Sequence, residues 1–394
     1  MQNDMSTQLR NPKATGRNVA PANRCRTDDP SRVRPLPVPS RIPATSGAAP
    51  ETAWIGVKEH GNPSRFGRVE LSASARVDSA VWSVVLAGGE GERLRPLMER
   101  WWGEHRPKQY CTFVGDRSML RHTLDRAERL AGSDRMLVVV AGHHEPHAWD
   151  RLADHHAQAI IAQPQNRDTA AGIFLPLTYI GAQDPEATVV ILPSDHFVHP
   201  EVEFLTAVRR AVRAAQQLPD RLVLLGARPD HPEPEYGWIQ PGNPVGQIEG
   251  HPVKAVAGFR EKPRAQEAGR LLLAGGLWNT LVIAAQWRTL WRLGWRCFPT
   301  MMGRFEEFAG HIGTGKENAA LKAIYDQLPS LNFSSGLLQR VPNAAVVMEL
   351  PPSVVWSDWG NEARIVETLN RFGKTPLFPI CPPPNLTRAT PASV

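Results

Sequence analysis

The chain has few cysteines and no long uninterrupted apolar run. Its four cysteines, Cys25, Cys111, Cys297 and Cys381, are far apart, with no C-x-x-C pair and no metal-ligand spacing. They predict no metal site, and reduced thiols in a cytoplasmic protein are the expectation. No run of about 18 apolar residues occurs, so no membrane span is predicted. The N-terminus lacks the apolar segment of a secretory signal.

Excess charge is also absent from most of the chain. The net charge is +6, but residues 1–80 hold 12 lysines and arginines against 7 acidic residues, and the remainder hold 33 against 32. A nucleic-acid-binding domain would carry a basic stripe, and none is evident, so no nucleic-acid partner is expected. Residues 1–80 contain nine prolines and few large apolar residues. This composition predicts a disordered N-terminal tail.

A glycine-rich segment at 86–97, LAGGEGERLRPL, lacks two common phosphate-binding fingerprints. No Lys-Ser or Lys-Thr follows the glycines, which excludes a P-loop, and the third glycine of the dinucleotide fingerprint is missing. The segment nevertheless suits a nucleoside triphosphate. It follows an apolar strand predicted at 81–86, its glycines let the backbone approach phosphates, and Arg93, Arg95 and Lys108 add positive charge. A tight turn without a ligand is the alternative.

From residue 81 onward, apolar strands alternate with helices. Strands are predicted at 81–86, 136–141, 188–192 and 221–226, and helices at 119–131, 169–180 and 201–217. This alternation predicts an α/β fold with a mostly parallel central sheet, whose ligands bind at the carboxyl ends of strands. Further strands are predicted at 236–240, 253–259 and 277–284, and further helices at 286–298 and 362–370.

Two carboxylates stand in unusual surroundings. Asp195 follows an apolar strand in the run LPSDH, and Asp358 lies in VWSDWG, 163 residues downstream. Mg²⁺ prefers one or two carboxylates together with phosphates and water, so these side chains suit it. Locally, Asp195 could instead cap a helix, and Asp358 could be a turn residue before Gly360. Only the fold could bring the two together.

Seven segments, taken in order, resemble one enzyme family. GGxGxRLxPL at 88–97 with PKQY at 107–110 resembles the signature of sugar-1-phosphate nucleotidyltransferases, and the Pro-Lys-Gln form is similar to the mannose-1-phosphate guanylyltransferase branch. The other segments are QPQNRDTA (163–170), PSDH (193–196), EYGWI (235–239), FREKP (259–263), LWNT (277–280) and VWSDWG (355–360). The resemblance implies a Rossmann-like nucleotidyltransferase domain at 81–372 with a smaller sugar-binding subregion, followed by a Pro-rich tail at 373–394.

The resemblance also implies a role for each motif residue. Arg93, Lys108 and Asp195 are the implied catalytic residues, and Asp195 and Asp358 the implied Mg²⁺ ligands. The implied nucleotide-binding residues are Leu86, Ala87, Gly88, Gly89, Gly91, Asn166, Arg167 and Thr169. The implied sugar-phosphate-binding residues are Gly237, Glu261, Lys262 and Asn279.

The implied reaction joins GTP and mannose 1-phosphate to give GDP-mannose and pyrophosphate. Two alternatives stay open: another sugar-1-phosphate nucleotidyltransferase, such as a glucose 1-phosphate thymidylyltransferase, or a non-catalytic subunit of this fold that senses a nucleotide sugar. The 34 residues after Gly360 predict no further C-terminal domain, and a homodimer stays open.

The chain departs from the family pattern at three positions. Gln163 replaces a usual Glu, Asp168 a usual Asn, and Glu235 a usual Gly. The histidines at 143, 144, 147, 155 and 156 are predicted to be surface residues, because Mg²⁺ chemistry needs no imidazole ligand. The stripe of Trp and Arg at 291–296 predicts a packed helix rather than a nucleic-acid platform.

Overall fold

The computed structural model of the chain describes residues 81–144 and 159–380. The tail predicted at 1–80, the C-terminal residues 381–394 and three of the histidines lie outside this range. The strands are β1 (Val81–Ala87), β2 (Met136–Ala141), β3 (Ala159–Gln163), β4 (Thr188–Pro193), β5 (Phe197–His199), β6 (Leu222–Ala227), β7 (Gly237–Ile248), β8 (His251–Glu261), β9 (Leu277–Gln286), β10 (Ala345–Glu349) and β11 (Val355–Ser357).

Helices lie between these strands. They are α1 (Arg95–Trp102), α2 (Met119–Ala131), α3 (Asp168–Gln183), α4 (Glu201–Gln217), α5 (Ala265–Leu273), α6 (Trp287–Cys297), α7 (Pro299–Ala309), α8 (Glu317–Gln327) and α9 (Glu362–Arg371). None of the helices within the described residues combines the length and the apolar character needed to cross a bilayer.

Nine strands form one sheet in the order β3-β2-β1-β4-β9-β6-β10-β8-β7. The first four are parallel to one another, and β10 is parallel to β6. Antiparallel pairing enters where β9 lies between β4 and β6 and where β7 and β8 form a hairpin at the sheet edge. The predicted α/β fold with a largely parallel central sheet is therefore confirmed, and the antiparallel strands add the smaller subregion beside it.

Apolar strands buried on both faces explain the centre of this sheet. Every residue of β2, β4 and β6 is buried, as expected for strands covered by helices on both sides. Helices α2 and α4 begin and end at the predicted residues. The prediction missed β3, β5, β10 and β11, which are at most five residues long and follow no alternating pattern.

A second, two-stranded sheet pairs β5 with β11 in antiparallel register. Beyond α9 the chain remains packed, because the Leu377 N–H donates to the Phe113 carbonyl at 2.9 Å and Phe378 is buried against neighbouring aromatic rings. Packing thus continues past the boundary predicted at residue 372.

Candidate active site

The glycine-rich loop leaves the carboxyl end of β1 and is held by a buried glutamine. The Gln109 side-chain amide donates to the carbonyls of Ala87 and Gly89, both at 2.9 Å. Gly91 has a positive φ of 67°, and a Cβ there would lie 3.0 Å from the Lys108 backbone nitrogen. A side chain at Gly91 would therefore be strained and crowded, and the loop can pass close to the Pro-Lys-Gln turn.

The fold brings Asp195 beside this loop. Strands β1 and β4 are adjacent and parallel, with Leu86 opposite Pro193, and the Ser194 N–H donates to the Leu86 carbonyl at 3.0 Å. Asp195 follows within two residues of β4, so it emerges next to the glycines at the carboxyl edge of the sheet. This is the edge where parallel sheets bind ligands.

The small β5–β11 sheet joins the two distant aspartates. Asp195 precedes β5 and Asp358 follows β11, and Phe197 pairs with Ser357 across the two strands. The ring of Trp359 stacks on that of Phe197 with centroids 4.7 Å apart, which packs the ends of both strands together. The short antiparallel pair of β5 and β11 therefore brings together two aspartates that are 163 residues apart in the sequence.

Lys108 connects the two aspartates directly. Its Nζ lies 2.9 Å from Asp195 Oδ2, and it donates to the main-chain carbonyl of Asp358. The Lys108 side chain is only 4% exposed, whereas that of Asp195 is 37% exposed. The ammonium group is thus fixed by the protein, and the Asp195 carboxylate remains accessible to a ligand.

A dense set of hydrogen bonds surrounds the Asp358 carboxylate. Oδ2 accepts from Arg93 Nη2 at 2.9 Å. Oδ1 accepts from the Tyr236 hydroxyl at 2.7 Å, the Gly360 N–H at 2.8 Å and Arg364 Nη1 at 3.0 Å. Its side chain is 10% exposed, so this carboxylate is buried among donors. The sequence analysis assigned no role to Tyr236 or Arg364.

Arg364 and Glu235 extend this network. The Arg364 guanidinium binds Glu233 and lies 3.0 Å from Glu235 Oε2, and it covers the Tyr236 ring at 4.8 Å from the centroid. Glu235 Oε2 also lies 3.0 Å from Arg93 Nη1. The glutamate that replaces the usual glycine thus binds Arg93, one of the implied catalytic residues.

The surrounding cations keep both aspartates ionised. Burial disfavours the charged form of Asp358, but Lys108, Arg93 and the Tyr236 hydroxyl outweigh it and hold the pKa far below its usual range. Burial also acts on Asp195, and Lys108 together with His196 nevertheless lowers its pKa. Two ionised carboxylates are therefore available at neutral pH.

These carboxylates have the donor chemistry that Mg²⁺ requires. The ion takes oxygen ligands and usually binds through one or two carboxylates plus substrate phosphates. The Asp195 carboxylate is 37% exposed and open to such an ion, whereas both oxygens of Asp358 already accept from protein donors, so Asp358 fits the ion only by exchanging the Arg93 or Arg364 contact for it.

A second group of predicted residues meets at the β7–β8–β9 end of the sheet. Gly237 pairs with Glu261 in register, and a Cβ at Gly237 would lie 2.8 Å from Glu261 Oε2 and 3.3 Å from the Cβ of Asn279. Gly237 therefore leaves room for a carboxylate and an amide to share one space. Lys262 follows β8 with a positive φ of 44° and is exposed.

Burial raises the pKa of Glu261, and the nearby carboxylate of Asp168 raises it further, although Lys262 opposes both. Asp168 is the first residue of α3, so a charge at the start of this helix acts on Glu261.

The residues before α3 are engaged mainly with the protein itself. Asn166 Oδ1 accepts from the Asp168 N–H at 2.9 Å, and Arg167 Nε donates to the Tyr325 carbonyl at 3.0 Å. The Thr169 hydroxyl accepts from the Phe333 N–H at 2.8 Å. These contacts anchor the start of α3 to the segment after α8, so Arg167 and Thr169 have an evident positioning role.

The prediction that His144 is a surface residue is wrong. Its side chain is 3% exposed, and its Nε2 lies 3.1 Å from Glu90 Oε2. The exposed His143 places its own Nε2 2.9 Å from the same oxygen. Trp291, by contrast, lies on α6 and stacks on Trp287 with centroids 5.1 Å apart, as expected for a packed helix.

Comparisons with known proteins agree with this arrangement. The sequence profile described as "Nucleotidyl transferase" matches residues 82–369. The chain is 29% identical over 294 residues to mannose-1-phosphate guanylyltransferase RfbM of Salmonella typhimurium, covering 73% of this chain and 58% of that protein. It is 32% identical to a mannose-1-phosphate guanylyltransferase of Escherichia coli, covering 74% and 60%.

A solved structure agrees as well. The chain is similar to that described as mannose-1-phosphate geranyltransferase from Thermus thermophilus, with a TM-score of 0.62, 27% identity, and coverage of 73% of this chain and 79% of that one. The chain spans less than two thirds of the length of the two curated relatives. The profile match covers most of the chain and includes the glycine-rich loop, Asp195, Asp358 and the residues predicted to bind the sugar phosphate. The chain therefore belongs to the nucleotidyl transferase family.

Proposed function

We propose that the chain is a mannose-1-phosphate guanylyltransferase that joins GTP and mannose 1-phosphate, giving GDP-mannose and pyrophosphate. The observation that carries the proposal is the meeting of Lys108, Arg93, Asp195 and Asp358 at the carboxyl ends of β1 and β4. The names of the two curated relatives support the choice of mannose 1-phosphate and a guanylyl group.

In this reaction an oxygen of the sugar phosphate attacks the α-phosphorus of GTP in line. One P–O bond forms, the bond from the α-phosphorus to the bridging oxygen breaks, and pyrophosphate leaves with the electron pair. The protein performs little covalent chemistry, so catalysis consists of positioning and charge stabilisation. Cationic groups that are already fixed in place serve this purpose best.

The chain supplies such groups on both sides of the reacting phosphorus. Lys108 is buried and fixed by two contacts, which suits it to stabilise the charge of the reacting phosphates. Arg93 is half-exposed and reaches outward from Asp358, which suits it to receive the departing pyrophosphate. Asp195 and Asp358 would hold Mg²⁺, which supplies further charge neutralisation when bound.

The residues predicted to bind the sugar phosphate would orient the hexose. Glu261 and Asn279 offer hydrogen-bonding groups in the space left by Gly237, and Lys262 offers a positive charge to the sugar phosphate. Hexose sites combine such polar groups with an apolar wall. Buried Phe259, whose ring would lie 3.0 Å from a Cβ at Gly237, borders the same space and supplies that wall.

Release of pyrophosphate by the purified full chain tests the proposal. GTP, ATP, CTP, UTP and thymidine triphosphate are each combined with mannose 1-phosphate and glucose 1-phosphate, with and without Mg²⁺. We expect turnover with GTP and mannose 1-phosphate that needs the metal. Preference for thymidine triphosphate and glucose 1-phosphate would replace the proposal with the related activity. Binding of a nucleotide sugar without any turnover would favour a sensing subunit.

A further inference from the structure

A second cluster of ligand atoms lies beside the glycine-rich loop. Glu90 is the residue between Gly89 and Gly91, and His143 and His144 form the turn that follows β2. Strands β1 and β2 are adjacent and parallel, with Ala87 opposite Val140, so both turns emerge at the same edge of the sheet. The cluster is separate from Asp195 and Asp358, and the proposed reaction makes no use of it.

The three side chains converge on one point. Glu90 Oε2 lies 2.9 Å from His143 Nε2 and 3.1 Å from His144 Nε2, and all three ligand atoms lie within 4.8 Å of one another. Two donor atoms on one tetrahedral ion, at bond lengths of about 2.1 Å, lie roughly 3.4 Å apart. The two Glu90–histidine distances are a few tenths of an ångström shorter than that, and the two histidine ligand atoms lie within 4.8 Å of each other, so side-chain rotation, most easily of the exposed His143, would admit an ion among these atoms.

We propose that Glu90, His143 and His144 form a binding site for a divalent transition-metal ion, with Zn²⁺ as the favoured ion. Two imidazole nitrogens and one carboxylate oxygen are typical Zn²⁺ ligands, whereas Mg²⁺ prefers oxygen alone. Three protein ligands leave a coordination position for water or an anionic oxygen. The bound ion ties the glycine-rich loop to the end of β2.

The surroundings hold the ligands in place. The His144 ring is buried and meets the Tyr110 ring edge-on with centroids 5.7 Å apart. Asn166 Nδ2 lies 3.5 Å from Glu90 Oε1, and the His105 ring nitrogen lies 2.8 Å from the Glu90 carbonyl.

Titration of the full chain with Co²⁺, a coloured substitute for Zn²⁺, tests the site. We expect one equivalent to give the intense visible absorption of a low-coordinate site, and Zn²⁺ to remove it by competition. Excess Mg²⁺ should leave the absorption unchanged. His143→Ala changes an exposed residue and should weaken binding by more than about 10–100-fold, the loss typical of an outer partner alone. Glu90→Gln should do the same.

Two controls make the result specific. His105→Gln changes a histidine that contacts the same loop through the Glu90 carbonyl only, and it should retain Co²⁺ binding. Asp195→Asn should also retain it, so the outcome does not depend on the proposed reaction. Absence of stoichiometric binding overturns the proposal. Binding that persists in both His143→Ala and Glu90→Gln overturns it as well, because the ion would then lie elsewhere.

Discussion

Replacing Asp358 with asparagine should destabilise the fold far more than the same change at Asp195. Asparagine keeps one carbonyl oxygen, so the bonds from the Tyr236 hydroxyl and the Gly360 N–H can persist. The bond from Arg93 and the charge that faces Arg364 are lost. A hydrogen bond to a charged group contributes about 1.5–3 kcal/mol when buried.

The network limits the loss. Arg364 is only 12% exposed but keeps Glu233 and Glu235 as partners, and Arg93 is half-exposed and keeps Glu235. We therefore expect a loss of about 2–3 kcal/mol for Asp358→Asn, near or just below the range of about 3–5 kcal/mol for breaking a buried ion pair. Asp195 is more exposed, and an asparagine there keeps an oxygen that can accept from the buried Lys108 ammonium, so Asp195→Asn should cost less than about 1 kcal/mol, the difference between a hydrogen bond to a charged and to a neutral acceptor.

Urea denaturation followed by tryptophan fluorescence measures both losses, and pyrophosphate release measures turnover. Both variants should lose turnover, whereas only Asp358→Asn should lose stability. The lowered pKa of Asp358 sets the pH dependence: its stabilisation is full above the ordinary value of 3.8 and declines as the pH falls below it. The difference in the free energy of unfolding between wild type and Asp358→Asn should therefore become smaller in acid. The reasoning is refuted if Asp358→Asn is as stable as wild type at neutral pH.

Four further substitutions address the rest of the site. Arg93→Ala should lower kcat on the order of 100-fold with little change in the KM for the sugar phosphate, whereas Lys262→Ala should mainly raise that KM. Steady-state kinetics would contradict the assigned roles if Arg93→Ala mainly raised KM and Lys262→Ala mainly lowered kcat. Because burial raises the pKa of Glu261, its charge penalises the fold increasingly as the pH rises above 4.5. The melting temperature of Glu261→Gln should thus rise relative to that of wild type between pH 4 and 7. A difference in melting temperature that does not change with pH would argue against a buried charge. Gly237→Ala should raise the KM for the sugar phosphate and cost about 1–3 kcal/mol through overpacking, while the control Gly269→Ala, on an open face of α5, should cost nothing.

The pattern of apolar residues along the sequence was sufficient to predict several strands and helices. Strand β2 agrees with prediction because it is a continuous apolar run, and helices α2 and α4 agree because their apolar residues recur at helical spacing. The order of the strands in the sheet could not be predicted from this pattern. The position of β9 between β4 and β6 is set by tertiary packing, since neither partner is its neighbour in the chain.

The motif residues of the site were predictable, but their partners were not. Arg364 is the third residue of α9, where a positive charge is unfavourable to the helix dipole. That position could have indicated an anionic partner, which proves to be Asp358 together with Glu233 and Glu235. For Glu90 and its two histidines, the prediction considered only Mg²⁺ chemistry and so dismissed a cluster that the adjacency of β1 and β2 creates.

The late position of β10 and β11 in the chain has a consequence for biosynthesis. The four parallel strands β1 to β4 are complete by residue 193, and they carry the glycine-rich loop. Strand β10 lies between β6 and β8, and the pair of β5 and β11 that positions Asp358 needs residues 355–357. A nascent chain released before these residues would retain the loop and Asp195 yet lack the second carboxylate. If the proposed function is correct, such a chain could not turn over its substrates, and activity would begin only when synthesis of the domain is nearly finished.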